Sequence, residues 1–227
     1  MSIGIVVQAR TKSTRFPNKV FYQLSDKKVI EHIIEECVKV KNTKTFIAVP
    51  SEDVDAFKFL CPKYGISVFG GDEKNVLCRY YSLVSSYKLE TIIRITGDCP
   101  CINAKLIENI ITFYRENDFD YCSNMTITHA TSVKDAHNHT SDTFLSDGFS
   151  CEIFSVEALK QAFYNTTDEY GKEHVTSWIK NNLNCGLYDK GFVYLHGKFS
   201  LDEQSDLEAI EAFDILRRKG FIKYGEK

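Results

Sequence analysis

Continuous apolar runs alternate with apolar stripes at helical spacing along the first half of the chain, and this alternation restricts the fold most strongly. Residues 3–7 form an apolar run typical of a strand covered on both faces. Further strands are predicted at 45–49, 68–69 and 91–95, each followed by a helical stripe. This βαβαβαβα succession predicts an α/β fold with three α/β/α layers and a mostly parallel, Rossmann-like sheet.

The second half of the chain is less regular. Residues 124–147 are polar and weakly periodic, which predicts a lid or interface insertion. Order resumes with predicted helices at 155–164, 172–182 and 204–219, and a strand at 192–195. Because no linker-like composition interrupts the pattern, one domain spanning 1–227 is the simplest interpretation.

Charge and composition exclude several classes of protein. A net charge of −3 and a pI near 6.1 give no bulk positive field for a nucleic-acid polymer, although a few converging cations can hold a small anion. No leader or membrane-spanning segment is recognised, so a cytoplasmic protein without a membrane partner is expected. The eight cysteines are interpreted as reduced thiols rather than as disulfides or a zinc site.

The loop after the first predicted strand, residues 8–19, is unusually basic. It carries Arg10, Lys12, Arg15 and Lys19 together with several hydroxyl side chains. Such a loop, at the carboxyl end of a parallel strand, can wrap a triphosphate. It contains neither a Walker A sequence nor a G-x-G-x-x-G fingerprint, and the alternative is a solvated basic turn.

A second specialised loop follows the predicted strand 91–95. There Asp98 lies between Gly97 and a bend that contains Pro100. A carboxylate in this position suits Mg²⁺, which takes one or two carboxylates together with substrate phosphates. An aspartate before a helix is also a common N-cap, so the sequence leaves both interpretations open.

Several ordered motifs resemble a known family. QARTKSTRFPNK at 8–19, RITGDCP at 94–100 and LDEQSDL at 201–207 resemble the cytidylyltransferases related to CMP-Kdo synthetase. GDEKNVLCRY at 71–80, DGFSCEIF at 147–154 and KEHVT at 172–176 are most similar to the branch of spore-coat polysaccharide biosynthesis proteins. The resemblance extends over nearly the whole chain. It departs at Cys101 and at residues 145–146, so the acceptor side is less well matched.

The resemblance implies a nucleotide-diphospho-sugar transferase (GT-A-like) fold, CTP as a substrate, Mg²⁺ as a cofactor and a homodimer. It implies transfer of CMP from CTP to a small sugar-acid, sugar-phosphate or polyol-phosphate acceptor for surface polysaccharide biosynthesis. By motif position, it also implies roles for individual residues. These are nucleotide binding by Gln8, Ala9, Arg10, Ser13, Arg15, Lys19, Asn75, Arg79 and Asp98, catalysis by Arg10, Arg15, Lys19 and Asp98, and metal binding by Asp98 and Asp202.

The acceptor side offers Asp147, Glu152 and His174 as candidate binding residues. A phosphate or carboxylate acceptor is already ionised, whereas a hydroxyl acceptor would need one of these groups as a base. His174 could instead pack or cap inside its predicted helix, and Glu152, in an apolar run, needs a cation, a metal or an acceptor hydroxyl as its partner. Similarly, Asn75 suits a helix N-cap and Arg79 a surface pair.

Two other functions remain open from the sequence. A glycosyltransferase on a GT-A-like fold would be expected to carry a metal-binding Asp-x-Asp, whereas this chain has Gly97-Asp98-Cys99-Pro100 at the comparable point. A non-catalytic nucleotide-binding protein would have no need to combine Lys19, Asp98 and Asp202. The nucleotidyltransferase interpretation is therefore favoured.

Overall fold

A seven-stranded sheet dominates the computed structural model, which describes residues 2–124, 148–188 and 198–220. Two very short strands pair in a separate antiparallel hairpin. The strands are β1 (Ile3–Gln8), β2 (Gln23–Leu24), β3 (Lys27–Lys28), β4 (Thr43–Pro50), β5 (Ser67–Gly71), β6 (Thr91–Thr96), β7 (Tyr121–Ser123), β8 (Cys151–Ser155) and β9 (Cys185–Leu187).

The helices lie between these strands in the alternating order that the sequence predicts. They are α1 (Val29–Lys39), α2 (Val54–Phe57), α3 (Leu60–Tyr64), α4 (Val76–Tyr87), α5 (Ala104–Glu116), α6 (Val156–Asn165), α7 (Glu169–Glu173), α8 (Ser177–Asn182) and α9 (Leu207–Arg218). Short 3-10 turns at Lys19–Phe21, Ser51–Asp53 and Gln204–Asp206 complete the regular structure of the described residues.

The large sheet has the strand order β5-β4-β1-β6-β8-β7-β9. Strands β5, β4, β1 and β6 are parallel, and β8 runs antiparallel to both β6 and β7. β9 pairs with β7 in parallel. The mostly parallel α/β sheet predicted from the sequence is confirmed.

Each face of the sheet carries a hydrophobic core. In β1, Ile5 and Val7 belong to the core that contains α1, α5 and α9, whereas Val6 belongs to the core that contains α4, α6 and α8. Successive side chains of a strand point to opposite faces, so burial on both faces requires a continuous apolar run. The three layers therefore explain the uninterrupted apolar sequence of residues 3–7.

Some predicted elements differ from the structure. The prediction of one helix over 172–182 is wrong, because the helical conformation is interrupted between α7 and α8. Val175, which lies in this interruption, is buried and has a φ of 46°. The predicted strand 192–195 and all of the proposed lid except Asn124 lie outside the described residues. No helix in the described part of the chain is long and apolar enough to cross a membrane.

Candidate active site

The basic loop after β1 is closed on itself and fastened to the neighbouring strand. The amide of Asn18 donates to the carbonyl of Thr11 at 2.9 Å, which closes the loop just before Lys19. The amide and hydroxyl of Thr11 both donate to the carboxylate of Asp53, at 2.8 and 2.6 Å. Because Asp53 follows the end of β4, these bonds fix the loop over the carboxyl edge of the sheet.

Gly97 lets the ends of β1 and β6 approach closely. Its amide donates to the carbonyl of Gln8 at 2.8 Å. A Cβ at this position would lie 3.0 Å from both the Ala9 Cβ and the Gln8 carbonyl oxygen, closer than nine in ten such contacts. The absence of a side chain therefore allows Asp98, the next residue, to lie beside the basic loop.

A distant segment joins the same edge through backbone contacts. The amide of Leu201 donates to the carbonyl of Asp98 at 2.8 Å, which places Asp202 next to Asp98. Gly148, with a φ of 109°, packs against this segment; a Cβ there would lie 2.2 Å from the Phe199 carbonyl carbon. These contacts explain how residues a hundred positions apart in sequence meet at one site.

Lys19 joins the two aspartates. Its ammonium nitrogen lies 2.9 Å from Oδ2 of Asp98 and 3.3 Å from Oδ1 of Asp202, and its side chain is only 13% exposed. Arg15 reaches the same Asp202 oxygen, with Nη2 at 3.2 Å. The structure thus brings together three residues separated in sequence that motif position alone had grouped. Asp98 is also not the N-cap of α5, because Asn103 occupies that position.

Two further residues complete the charge balance around Asp202. Lys198 contacts Asp202 Oδ2 at 3.0 Å and Asp206 Oδ2 at 2.9 Å, and Asp206 also accepts from the amides of Asp202 and Glu203. Burial opposes ionisation of Asp202, but the ammonium groups of Lys198 and Lys19 hold its pKa below the ordinary value. Sequence reasoning missed Lys198 and Asp206. The spacing of Asp206, four residues after Asp202 in the motif, was the available signal.

A cavity of about 270 Å³ opens over these groups. Most of the predicted nucleotide and metal residues line it, as do several that were not predicted. The predicted ones are Gln8, Ala9, Arg10, Ser13, Arg15, Lys19, Arg79, Asp98, His174 and Asp202, and the others are Thr14, Val20, Glu73, Val76, Arg94, Thr96, Gly97 and Glu173.

Asn75 and Arg79, which were both predicted to bind the nucleotide, have different positions. Asn75 does not line the cavity; its side-chain oxygen accepts from the amide of Cys78 and caps α4, which was the alternative interpretation. Arg79 lines the cavity but is 2% exposed, so the surface-pair interpretation is wrong. Its guanidinium donates to the carbonyls of Asp72 and Glu73 and thereby holds the turn before α4. Burial lowers the pKa of Arg79.

Glu152 is buried behind the cavity and does not line it. Its Oε1 accepts from Tyr121 at 2.6 Å, Thr176 at 2.8 Å and Lys180 at 2.8 Å, and its Oε2 pairs with Arg94. Burial opposes its ionisation, but Arg94 and Lys180 hold the pKa of Glu152 far below the ordinary value. The partners of Glu152 are therefore two cations and two hydroxyl groups of the protein itself. Arg94, which does line the cavity, is a residue that sequence reasoning missed.

His174 lines the cavity as the residue that ends α7, not as an internal helix residue. Its amide donates to the carbonyl of Tyr170, and the two rings lie 4.2 Å apart. Burial, assisted by Arg94 and Lys180, lowers the pKa of His174, which favours the neutral imidazole. Asp147, the third predicted acceptor residue, lies outside the described residues.

The chemistry of the carboxylates permits a divalent cation. Oxygens of Asp98 and Asp202 both lie within 3.3 Å of one ammonium nitrogen, so a single cationic group already bridges them. Two carboxylates completed by substrate phosphates match the preference of Mg²⁺. Within the described ranges no group of three or more histidine, cysteine or acidic side chains forms a metal site.

The fold and the cavity together define an α/β protein with a basic and acidic site at the carboxyl ends of parallel strands, where such sheets bind nucleotides. The cytidylyltransferase family model matches residues 4–226, and the chain belongs to this family.

The chain is also similar to individual known proteins. The chain is 35% identical over 187 residues to the uncharacterized protein MJ1063 of Methanocaldococcus jannaschii, covering 81% of this chain and 69% of the relative. It is 27% identical to the spore coat polysaccharide biosynthesis protein SpsF of Bacillus subtilis, covering 92% and 85%. A solved structure of CMP:2-keto-3-deoxy-manno-octonic acid synthetase complexed with CTP has a TM-score of 0.68 at 14% identity, covering 96% of this chain and 100% of that one. This last similarity shows the shared fold.

Proposed function

We propose that this protein catalyses the Mg²⁺-dependent transfer of CMP from CTP to a small sugar-acid, sugar-phosphate or polyol-phosphate acceptor, with release of pyrophosphate. The proposal rests mainly on the meeting of Lys19, Asp98 and Asp202 at the mouth of the basic loop. Membership of the cytidylyltransferase family and the CTP named for the solved structural relative support the choice of nucleotide.

The basic loop would bind the triphosphate. Arg10, Arg15 and Lys19 line one cavity. Arg15 and Lys19 also contact the carboxylate of Asp202, so they lie beside the group that would hold the metal ion. Their positive charges would offset the charge that develops on the departing pyrophosphate and the repulsion between CTP and an anionic acceptor. Asp98 and Asp202 would hold Mg²⁺, which supplies charge neutralisation and alignment of the phosphates when bound.

The acceptor would enter between the strand ends and α7. Thr96, at the end of β6, and Glu173 and His174, at the end of α7, line the cavity. An acceptor that attacks through a phosphate or carboxylate oxygen needs no base, whereas a hydroxyl acceptor could give its proton to the neutral imidazole of His174. A product that is used to build a surface polysaccharide would agree with the name of the relative SpsF, a spore coat polysaccharide biosynthesis protein.

Pyrophosphate release tests this function directly. The purified protein is incubated with each of the four NTPs, Mg²⁺ and a panel of sugar acids, sugar phosphates and polyol phosphates. We expect release only with CTP and one class of acceptor. No release with any acceptor, together with no change in thermal stability on adding CTP and Mg²⁺, would overturn the proposal.

A matched pair of variants tests the site. Asp98→Asn removes a charge that faces Lys19, and we expect at least a hundredfold loss of turnover with an unchanged melting temperature, as for other groups that organise transition-state charge. Asp55→Asn is the control, because Asp55 on α2 is exposed and, among the described residues, its carboxylate pairs with Lys58, the residue that follows the helix. Full activity of Asp98→Asn would contradict the assigned role.

A further inference from the structure

A buried chain of hydrogen bonds leads from Glu152 to the cavity through Arg94. The two residues lie directly opposite each other in the antiparallel pair β6–β8. Arg94 Nη1 donates to Glu152, and Arg94 Nε donates to the side-chain carbonyl of Gln8 at 3.1 Å. Both Arg94 and Gln8 line the cavity, whereas Glu152 lies behind them.

This chain of contacts determines which way the Gln8 amide faces. The guanidinium of arginine has only donors, so the side-chain atom of Gln8 that meets Arg94 has to be the oxygen. The amide nitrogen must then point away from Arg94, and among the described residues it has no hydrogen-bond partner. Gln8 thus offers two N–H donors at the carboxyl end of β1, beside the loop that carries the cations.

Arg94 is itself held firmly. Its side chain is 14% exposed, and Glu152 receives three further hydrogen bonds, from Tyr121, Thr176 and Lys180, so the carboxylate cannot rotate away from the guanidinium. A side chain fixed by several bonds keeps its direction better than one fixed by a single bond. Glu152 therefore fixes the orientation of Arg94, and Arg94 in turn fixes the orientation of Gln8.

We propose that Arg94 is a positioning residue that orients Gln8, so that the Gln8 amide nitrogen donates a hydrogen bond to an acceptor atom on the base or ribose of the bound nucleotide. This inference rests on the proposed function only in requiring that CTP binds this cavity. Lys19 and the neighbouring arginines would bind the phosphates. The neutral Gln8 amide is therefore assigned to an uncharged acceptor atom of the nucleotide.

The substitution Gln8→Glu removes the N–H donors of the side chain without changing its packing. The carboxylate has nearly the same shape and still accepts from Arg94, so the fold is preserved, but the N–H donors are lost. We expect the Kd of CTP, measured by calorimetry without an acceptor, to rise about tenfold, as for the loss of a hydrogen bond that leaves one partner unsatisfied. Gln161→Glu, the same substitution on α6 away from the cavity, is the control for the change in the net charge of the protein and should leave the Kd unchanged.

The same titration with 2′,3′-dideoxy-CTP distinguishes the two possible sources of the acceptor atom. If Gln8→Glu loses affinity for CTP but not for the dideoxy nucleotide, the ribose hydroxyls receive the bond. If the loss is the same with both nucleotides and is also seen with cytidine, which carries no phosphate for the new carboxylate to repel, the base receives it. A loss that disappears with cytidine would be ionic repulsion and would overturn the inference. A Gln8→Glu variant that binds CTP as tightly as wild type would overturn the inference. Failure of the wild-type protein to bind CTP would instead overturn the proposed function.

A double-mutant cycle tests the part played by Arg94. Arg94→Lys keeps a positive charge beside Glu152 but removes the fork that holds Gln8 at the same time. We expect about a fivefold weaker binding of CTP for Arg94→Lys, and no further weakening when it is added to Gln8→Glu, because both changes act through one bond. A merely structural role would give additive losses that follow the melting temperature, and that result would refute the positioning role.

Discussion

Replacing Glu152 with glutamine removes one charge from a buried cluster and leaves two cations behind. The side chains of Arg94 and Lys180 are 14% and 21% exposed, and the side chain of Glu152 itself is 7% exposed. Breaking a buried ion pair in this way costs about 3–5 kcal/mol. A glutamine oxygen can still accept from Tyr121 and Thr176, so we expect about 3 kcal/mol, the lower end of that range.

Urea unfolding followed by circular dichroism measures this change. A loss of about 3 kcal/mol in a chain of this size corresponds to a fall in Tm of roughly 10 °C. Glu157→Gln is the matched control, since Glu157 is 70% exposed and lies 3.7 Å from Lys160, and we expect no measurable change. A loss below about 1 kcal/mol for Glu152→Gln would refute the reasoning that these cations depend on Glu152.

The effect of Glu152 should also depend on pH. The pKa of this carboxyl is far below its ordinary value of 4.5, so its stabilisation is fully present above pH 4.5 and is lost as the pH falls toward the folded-state pKa. The wild-type protein should lose about 2 kcal/mol from this group on going from pH 6 to pH 3. The Glu152→Gln variant lacks this contribution, so the stability difference between the two proteins should shrink over the same range.

Three further predictions concern the loop, a turn and the thiols. Asp53→Ala removes two hydrogen bonds to Thr11, so the KM for CTP should rise about tenfold with little change in kcat, and an unchanged KM would contradict the loop's attachment. Gly148→Ala should cost more than about 2 kcal/mol in urea unfolding, because its Cβ would meet the backbone, whereas Gly65→Ala, with a φ of 67° and open space, should cost about 1 kcal/mol. Equal costs would refute the packing argument. Burial raises the pKa of several thiols, so a thiol reagent should modify the buried cysteines only after unfolding; rapid reaction in the native state would contradict their burial. The buried cysteines are Cys37, Cys99, Cys101, Cys122 and Cys151, and the thiols with a raised pKa are those of Cys37, Cys101, Cys122 and Cys151.

The sequence was sufficient for those parts of the fold that local periodicity determines. Strands β1, β4 and β6 were predicted because burial of most of their residues leaves a largely apolar run. The half-buried edge strand β5 was predicted from the two apolar residues Val68 and Phe69 before a turn. Strands β7 and β9 have three residues each, too few for a period to be recognised. The break at Val175 was missed for a different reason: a buried residue in a left-handed conformation is held by its tertiary contacts and leaves no local signal.

The candidate site divides in the same way. Lys19, Asp98 and Asp202 were found because each lies in a motif of recognisable order, and the structure brings them together. Arg94 lay within a quoted motif, but its importance depends on Glu152, which pairs with it across β6 and β8. That pairing depends on strand register between residues 58 positions apart, which a single sequence does not reveal.

The ammonium group of Lys19 between Asp98 and Asp202 determines the state of the site before a ligand binds. Two neighbouring carboxylates would repel each other and push the 98 and 202 segments apart, but the lysine acts as an internal counter-ion that keeps them together. The three segments are thus assembled before any ligand arrives. The site is therefore preorganised, and none of the binding free energy of a nucleotide is needed to bring the three segments together. The phosphates have only to replace a carboxylate as the anionic partner of Lys19.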